Sequence, residues 1–379
     1  MMGGRTTVGI ITGNPPTMMG GVERFTLTLA QQFEDRGIST NIYDSTLLAE
    51  GKSKWYDKFL LSGLRRDKAI GKKAGEKMKV NPVQVIIHNG NSGWAVSGRG
   101  NIPRIVVHHG TWRGVAPNLC KNKAPLKTKV ANKIFTYGLL GYIEKYTSEG
   151  ARSVSVSSSV ARELIDYYGI KSVVIPNGVD IKHFCKRDKF ASKKKYGFER
   201  DDKVICFTGR LEFGKGSDII RKIADLALNS DYRIKFLIAT DKAPEEDWPA
   251  NVVIVKNVDY DEMPYLYSAG DIFLFPSRYE GCSYSVLEAM ACGVPIIISS
   301  VGYGRDLQRD NILANFIIDN LEPRLYWQKI LELCDDELGC KVGNAGLEFI
   351  RKHNTINIMV NKYIDLIHKV ISEKSGSGR

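Results

Sequence analysis

No apolar run in the 379-residue sequence approaches the ~20 residues that a membrane-spanning helix needs. The opening Met-Met-Gly-Gly-Arg-Thr-Thr-Val-Gly-Ile-Ile-Thr-Gly lacks the long apolar core of a secretory leader, Val8 to Ile11 being only of strand length. Cysteine is sparse and scattered: seven residues, Cys120, Cys185, Cys206, Cys282, Cys292, Cys334 and Cys340, with no Cys-x-x-Cys pair. Neither a disulfide framework nor a zinc site is expected, and the chain reads as one for a reducing, cytoplasmic environment. Cys282 has no His or Asn partner nearby in sequence for nucleophilic work. The first βα turn has no Gly-x-Gly-x-x-Gly, so a nicotinamide site is not supported. No nucleic-acid motif appears, and nucleic acid is not an expected partner.

What is present is an ordinary soluble balance, 43% apolar and 25% charged residues, at a length that suggests two domains with ample core. The net charge is +12, and it is unevenly spread: residues 1–178 hold 25 Lys and Arg against 12 Asp and Glu, so the whole excess lies in the first half. Solubility alone accounts for some charge, but the asymmetry points to an anionic partner for that half: a phospholipid surface, a polyprenyl-diphosphate lipid or an acidic glycan. Two stretches concentrate it. Residues 51–80 interleave ten Lys and Arg with Trp55, Tyr56, Phe59, Leu60, Leu61 and Leu64; residues 121–133 form a second basic run. The first reads equally as a helix lying on an anionic membrane and as an ordinary helix with a solvated face.

Taken in order, Thr6–Ile11 is a strand, followed by a loop ending in Gly20-Gly21 and a helix whose apolar face is Val22, Phe25, Leu29 and Phe33. Gly37 ends it before a strand at 38–43. Adjacent glycines at a helix start let backbone approach a phosphate closely. Val83–Ile87 and Arg104–Val107 read as buried parallel strands. The second runs into His108-His109-Gly110, at the strand end where open α/β sheets bind ligands; His88, before Asn89-Gly90, is a second candidate. Residues 186–203 read as a solvated, charged linker or helix. Val204–Thr208 is a strand leading into Gly209-Arg210-Leu211-Glu212-Phe213-Gly214-Lys215-Gly216 and a helix from Ser217. The final helix, Ile356–Ile371, sets Met359, Tyr363, Ile367 and Val370 in register.

The stretch Phe275–Ser299 is the densest in signals. A strand, 272–275, is stopped by Pro276; a polar loop carries Glu280; a helix starts near Ser283, Tyr284 and Ser285; Gly293 and Pro295 end it before the apolar Ile296-Ile297-Ile298. Free N–H groups at the helix start make an anion site, with one carboxylate before it and another, Glu288, two turns on. A nucleotide-sugar matches that spacing, with diphosphate in the middle and hydroxyls at both ends.

Glu280 to Glu288, continued by Ala289-Met290-Ala291-Cys292-Gly293-Val294-Pro295, closely resembles the acidic signature of retaining glycosyltransferases of family four, which have the GT-B fold. Where that pattern has Gly-Phe-Gly, this chain has Gly281-Cys282-Ser283, which sacrifices glycine's freedom at the third place. Gly-Gly-Val-Glu-Arg, from Gly20, resembles the family's first motif. The resemblance implies an α/β architecture of two Rossmann-like domains facing across a cleft. Residues 1–175 would bind acceptor and 176–355 the nucleotide-sugar, with 356–374 crossing back to the first domain. It implies Arg210 and Lys215 as the diphosphate pair and Glu280 as the group orienting sugar hydroxyls. Glu288 would hold ribose, Val258 would offer backbone to the base, and His109 would line the sugar site. It further implies a metal-independent hexosyltransferase that retains anomeric configuration and needs no cofactor. The donor is expected to be a nucleotide-diphosphate sugar, UDP-linked above all, and the acceptor a glycan or lipid-linked molecule, with residues 51–80 and 121–133 available to an anionic membrane surface. The alternatives are a phosphorylase or epimerase on the same fold, or a non-catalytic nucleotide-sugar or membrane-surface binding protein.

Overall fold

A computed structural model of the protein describes residues 6–18, 20–48, 62–96, 102–119, 125–242 and 247–376. The chain divides into two units. One comprises residues 1–116, 126–175 and 359–379; the other comprises 117–125 and 176–358.

The first unit contains β1 (Thr7–Ile11), α1 (Gly21–Glu34), β2 (Ser39–Tyr43), α2 (Ser62–Val80), β3 (Val85–Asn89), β4 (Arg104–His108), α3 (Trp112–Val115) and α4 (Leu126–Asn132). A π-helical stretch at Lys133–Leu140 joins α4 to α5 (Gly141–Ser148), followed by β5 (Arg152–Ser155), α6 (Ser158–Tyr168) and β6 (Ser172–Val174). Its sheet is parallel throughout, in the order β2-β1-β3-β4-β5-β6. The apolar runs of β3 and β4 are buried along their whole length, as strands covered on both faces require. α1 buries Phe25, Leu29 and Phe33, three of the four side chains expected on its inner face, while Val22 is only half-buried. Gly37, at φ +78, turns the chain out of α1 toward β2. Part of the first basic stretch, residues 51–61, and residues 121–124 of the second lie outside the described residues.

The second unit contains α7 (Lys189–Lys195), β7 (Lys203–Thr208), α8 (Ser217–Leu228), β8 (Ile234–Thr240), β9 (Val252–Lys256), α9 (Met263–Ala269), β10 (Ile272–Phe275) and α10 (Tyr284–Ala291). It continues with β11 (Ile296–Ser299), α11 (Gly304–Leu307), β12 (Ile317–Ile318), α12 (Pro323–Leu333) and α13 (Asp336–His353). The sheet order is β12-β11-β10-β7-β8-β9, again all parallel. The last helix, α14 (Ile356–Gly376), starts here and from Met359 on belongs to the first unit. There Met359, Tyr363, Ile367 and Val370 are buried, and the Tyr363 ring meets Phe25 edge-on.

One expectation needs correction. The charged run at 186–203 is not uniformly solvated. Lys193 is buried on α7, where its ammonium lies 2.8 Å from Asp271 Oδ2 and donates to the Asp202 carbonyl at 2.6 Å. A buried ammonium is tolerated when a carboxylate and a carbonyl replace its water.

The two sheet orders share one consequence. In each, the chain winds outward in both directions from its first strand, so the loops diverge between β1 and β3 in the first unit and between β7 and β10 in the second. Such switch points, at the carboxyl ends of the strands, are where open parallel sheets form crevices.

Candidate active site

The loop leaving β7 and the loop leaving β10 meet at the second unit's switch point. Lys215 ends a 3-10 turn, Phe213–Lys215, and its ammonium lies 2.6 Å from Glu280 Oε1. The same carboxylate oxygen accepts the Ser277 hydroxyl at 2.7 Å. The two loops are stitched along their length. Arg278 donates its backbone N–H to the Gly214 carbonyl and its guanidinium to the Phe213 carbonyl, and it grips both Asp218 oxygens on α8 at 2.8 and 2.9 Å. Its Cζ lies 3.6 Å from the centre of the Phe213 ring. Gly216 caps α8 at φ +76, and a Cβ there would sit 2.1 Å from the Pro276 carbonyl oxygen. Only glycine allows that turn and that approach together.

Arg210 lies on the same β7 loop, exposed, with its guanidinium 2.8 Å from Glu212 Oε1. The structure brings Lys215 and Glu280 into direct contact and sets Arg210 nearby in sequence but against a different carboxylate. Ser283, Tyr284 and Ser285 form the cap and first two residues of α10, partly exposed. Ser283 has φ −71 and ψ 124, a conformation open to any residue, so the serine there costs the loop nothing in backbone terms. The preceding residues are anchored instead by partners: Asn177 donates to the Cys282 carbonyl at 2.8 Å, and Gly281 accepts the Tyr303 N–H at 2.7 Å. Burial pushes the Cys282 thiol far above its ordinary value, the opposite of what a nucleophilic thiolate needs.

Glu288 lies on the inner face of α10 and is buried. Its Oε2 accepts the Tyr267 hydroxyl at 2.6 Å, and that hydroxyl is 2.9 Å from Thr208 Oγ1 at the end of β7. With Tyr267 donating to the carboxylate, Thr208 donates to Tyr267, so the two carboxylates of the motif occupy unlike settings: Glu280 beside a cation and partly exposed, Glu288 inside a hydroxyl chain. Val258 is half-buried in the loop after β9.

In the first unit, His109 follows β4 and sits against the end of β3. Its Nε2 is 3.1 Å from Asn89 Oδ1, and its ring meets Phe25 edge-on. The direction of this bond is fixed from the other side. The Thr26 hydroxyl donates to the Val22 carbonyl at 2.9 Å and accepts Asn89 Nδ2 at 2.8 Å. Asn89 therefore turns its oxygen toward His109, which carries its proton on Nε2 and keeps Nδ1 as an acceptor. Although part of the residue reaches solvent, dense packing around the ring holds its pKa down at about 4, and the neighbouring His108 adds to the effect. His109 is thus neutral at pH 7. His88 is fully buried, with Nδ1 2.9 Å from the Ser92 carbonyl. Gly20 and Gly21 stand at the start of α1; Glu23 in its first turn accepts Asn14 at 2.8 Å, and Asn14 in turn accepts Arg66 of α2 at 2.9 Å.

Sequence reading missed Asn89, Thr26, Arg278, Asp218 and Tyr267. The strand-end position of Asn89, directly after His88, was the one available signal; the others act through contacts between distant segments.

Two family descriptions match adjoining parts of the chain: Glycosyltransferase Family 4 over residues 19–183 and Glycosyl transferases group 1 over residues 188–346. A D-inositol 3-phosphate glycosyltransferase of Geodermatophilus obscurus is 28% identical over 204 residues, 48% of this chain and 45% of that protein. The chain thus spans about half the length of the curated relatives it matches. Among solved structures, the fold matches sucrose-phosphate synthase from Thermosynechococcus elongatus with a TM-score of 0.80 at 16% identity, covering 97% of this chain and 100% of that one. It matches Anabaena HepE, crystallised with UDP and glucose, with a TM-score of 0.68 at 15% identity, covering 96% and 100%.

Proposed function

Because the chain belongs to the family-four glycosyltransferases, the glycosyl transferases group 1 with the GT-B fold, we propose that it moves a sugar from a nucleotide-diphosphate donor to an acceptor hydroxyl with retention of anomeric configuration. The observation that carries the reading is the 2.6 Å contact of Lys215 with Glu280 at a strand-end switch point. The bond from the sugar's anomeric carbon to the β-phosphate oxygen breaks, and the leaving diphosphate gains negative charge. Lys215 supplies a point charge to it and Arg210 a second cation on the same loop, with the open first turn of α10 at Ser283, Tyr284 and Ser285 offering N–H groups. These groups do the work a divalent cation would otherwise do, which supports a metal-independent reaction.

Glu280, held by Lys215 and Ser277, is suited to orient sugar hydroxyls. The acceptor oxygen attacks the same face that the diphosphate leaves, and the β-phosphate takes the acceptor's proton as the new bond forms. Glu288 would reach ribose hydroxyls only by sharing its carboxylate with Tyr267, and Val258 would meet the base through its backbone. His109, neutral and with Nδ1 open to accept, is suited to a sugar hydroxyl, and Gly20 and Gly21 to close approach by the donor phosphate or the acceptor. The UDP and glucose bound by HepE support a UDP-sugar as donor. The basic first half supports a lipid-linked or anionic glycan as acceptor.

The test is a thermal-shift panel of UDP, GDP and ADP with their sugars, followed by an assay for released nucleoside diphosphate. A nucleotide that binds the folded state raises its melting point. Release that requires an acceptor supports transfer. Stabilisation without release across an acceptor screen would instead indicate a binding protein, and sugar-phosphate formation from inorganic phosphate a phosphorylase.

A further inference from the structure

The helical segment from Leu126 to Ser148 has two apolar faces, and the fold uses only one. Its inner face buries Thr136, Leu140, Ile143 and Thr147. Leu140 and Ile143 pack with Leu64 of α2. Glu144 is buried on the same side, accepting the Trp112 N–H at 2.9 Å and the Tyr168 hydroxyl at 2.7 Å, with His108 Nδ1 at 3.2 Å. The segment is therefore docked firmly by one side.

The other side carries Leu126, Val130, Ile134, Tyr142 and Tyr146, spaced by four residues apart from Gly138 in the row, and these five are between 37% and 77% exposed. Residues four apart stack along one flank of a helix, so this is one continuous apolar stripe and not a scatter of single side chains. Lys127, Lys129, Lys133 and Lys145 are exposed beside it, and Glu149 is the only exposed acid between residues 125 and 150. The surface continues onto α2. Tyr146 meets the Trp94 ring at 6.3 Å, and Lys68 of α2, itself exposed, stands 5.7 Å over that ring.

We propose that this flank of residues 126–146, with the adjoining Lys68 of α2, is a docking surface for an anionic phospholipid bilayer. The chemistry fits on three counts. Leu, Val and Ile enter the acyl boundary; tyrosines sit with ring in the apolar layer and hydroxyl in water, as at membrane interfaces; and lysines lie level with anionic headgroups. A second copy of the chain would cover the stripe equally well, but a two-fold contact would set these lysines against each other, whereas anionic lipid neutralises them. No described helix is long and apolar enough to cross a membrane, and this one would lie along the surface.

The inference does not depend on the transferase reading, since vesicle binding needs no turnover. The full chain is co-sedimented with phosphatidylcholine vesicles containing about 30% phosphatidylglycerol, and with phosphatidylcholine alone, at about 0.1 and about 0.5 M salt. Binding is expected only to the anionic vesicles and to weaken about tenfold or more at the higher salt. The pair Ile134→Asp and Tyr142→Asp is expected to weaken it about tenfold or more by putting charge into the apolar layer. The triple change Lys127→Gln, Lys129→Gln and Lys133→Gln is expected to cost about fivefold per lysine, and it carries the test alone if the acidic pair lowers the melting point. Absence of binding to either vesicle would overturn the proposal, as would binding that ignores both sets of substitutions. A wild-type dimer that the acidic pair dissociates, with no vesicle binding, would assign the stripe to self-association instead.

Discussion

Lys215 Nζ and Glu280 Oε1 lie 2.6 Å apart, joining residues 65 positions apart on loops that leave two neighbouring parallel strands. Each group is only partly exposed, at 25% and 13% for the side chains, so their charges are less screened than those of a surface pair. Groups in direct contact respond to mutation as a unit. Lys215→Ala and Glu280→Gln are each expected to lower kcat by about 10²-fold or more. The double variant should lose clearly less than the product of the two losses, and initial-rate kinetics on the four proteins measure the coupling. Strict multiplicativity would mean that the two residues act separately.

Gly216 is the backbone counterpart of that contact. Gly216→Ala places a side chain at φ +76 and against the Pro276 carbonyl, at an expected cost of about 1–3 kcal/mol. Thermal melts should show a drop of several degrees, about 2–4 °C for each kcal/mol in a domain of this size. Donor affinity should fall further than stability does, because the loop that moves carries Lys215.

His109 gives a stability signature with a definite sign. Its folded-state pKa of about 4 lies below the ordinary 6.5, so as acid is added the unfolded chain takes up this proton first. The contribution of a neutral His109 to stability is complete above pH 6.5 and is lost as the pH falls toward 4. Urea unfolding of the wild type and of His109→Gln across that range should diverge by about 1–3 kcal/mol, the variant being the less sensitive to acid. Parallel curves would count against a depressed pKa.

Asn89 acts on His109 by way of one oxygen atom. Asn89→Asp keeps the shape and puts a carboxylate 3.1 Å from Nε2, at the distance now spanned by the amide oxygen. A neighbouring opposite charge raises a histidine pKa by about 1–3 pH units. NMR titration of the His109 ring is expected to show that rise in Asn89→Asp, and in the wild type a proton on Nε2. A ring protonated on Nδ1 in the wild type would contradict the Thr26–Asn89 relay.

Much of this was legible in the sequence because the signals are local. Apolar runs of strand length, the Gly37 stop after α1 and the Pro276 break after β10 each act within a few residues, whereas Lys215, Glu280 and Glu288 stand out through their likeness to the family's motifs. What escaped depends on partners far apart in the chain. Arg278 lies in the polar loop after Pro276, and nothing beside it announces Asp218 and Phe213, which it holds from some 60 and 65 positions away. Lys193 reads as solvated because nothing nearby announces Asp271. Glu288 reads as a ligand-facing carboxylate, and only the packing of α9 on α10 shows the Tyr267 hydroxyl already on it. Lys127, Lys129 and Lys133 were legible as charge, but the apolar stripe beside them emerged only when the inner face of the helix was accounted for.

Calorimetry of UDP against uridine tests whether Lys215 grips a diphosphate. Both ligands share the base and ribose, so the difference between them isolates the phosphates. The account predicts that Lys215→Ala weakens UDP about tenfold or more, the scale of a charge-assisted bond worth about 1.5–3 kcal/mol, and leaves uridine unchanged. An unaltered UDP affinity, or equal losses for the two ligands, would contradict it.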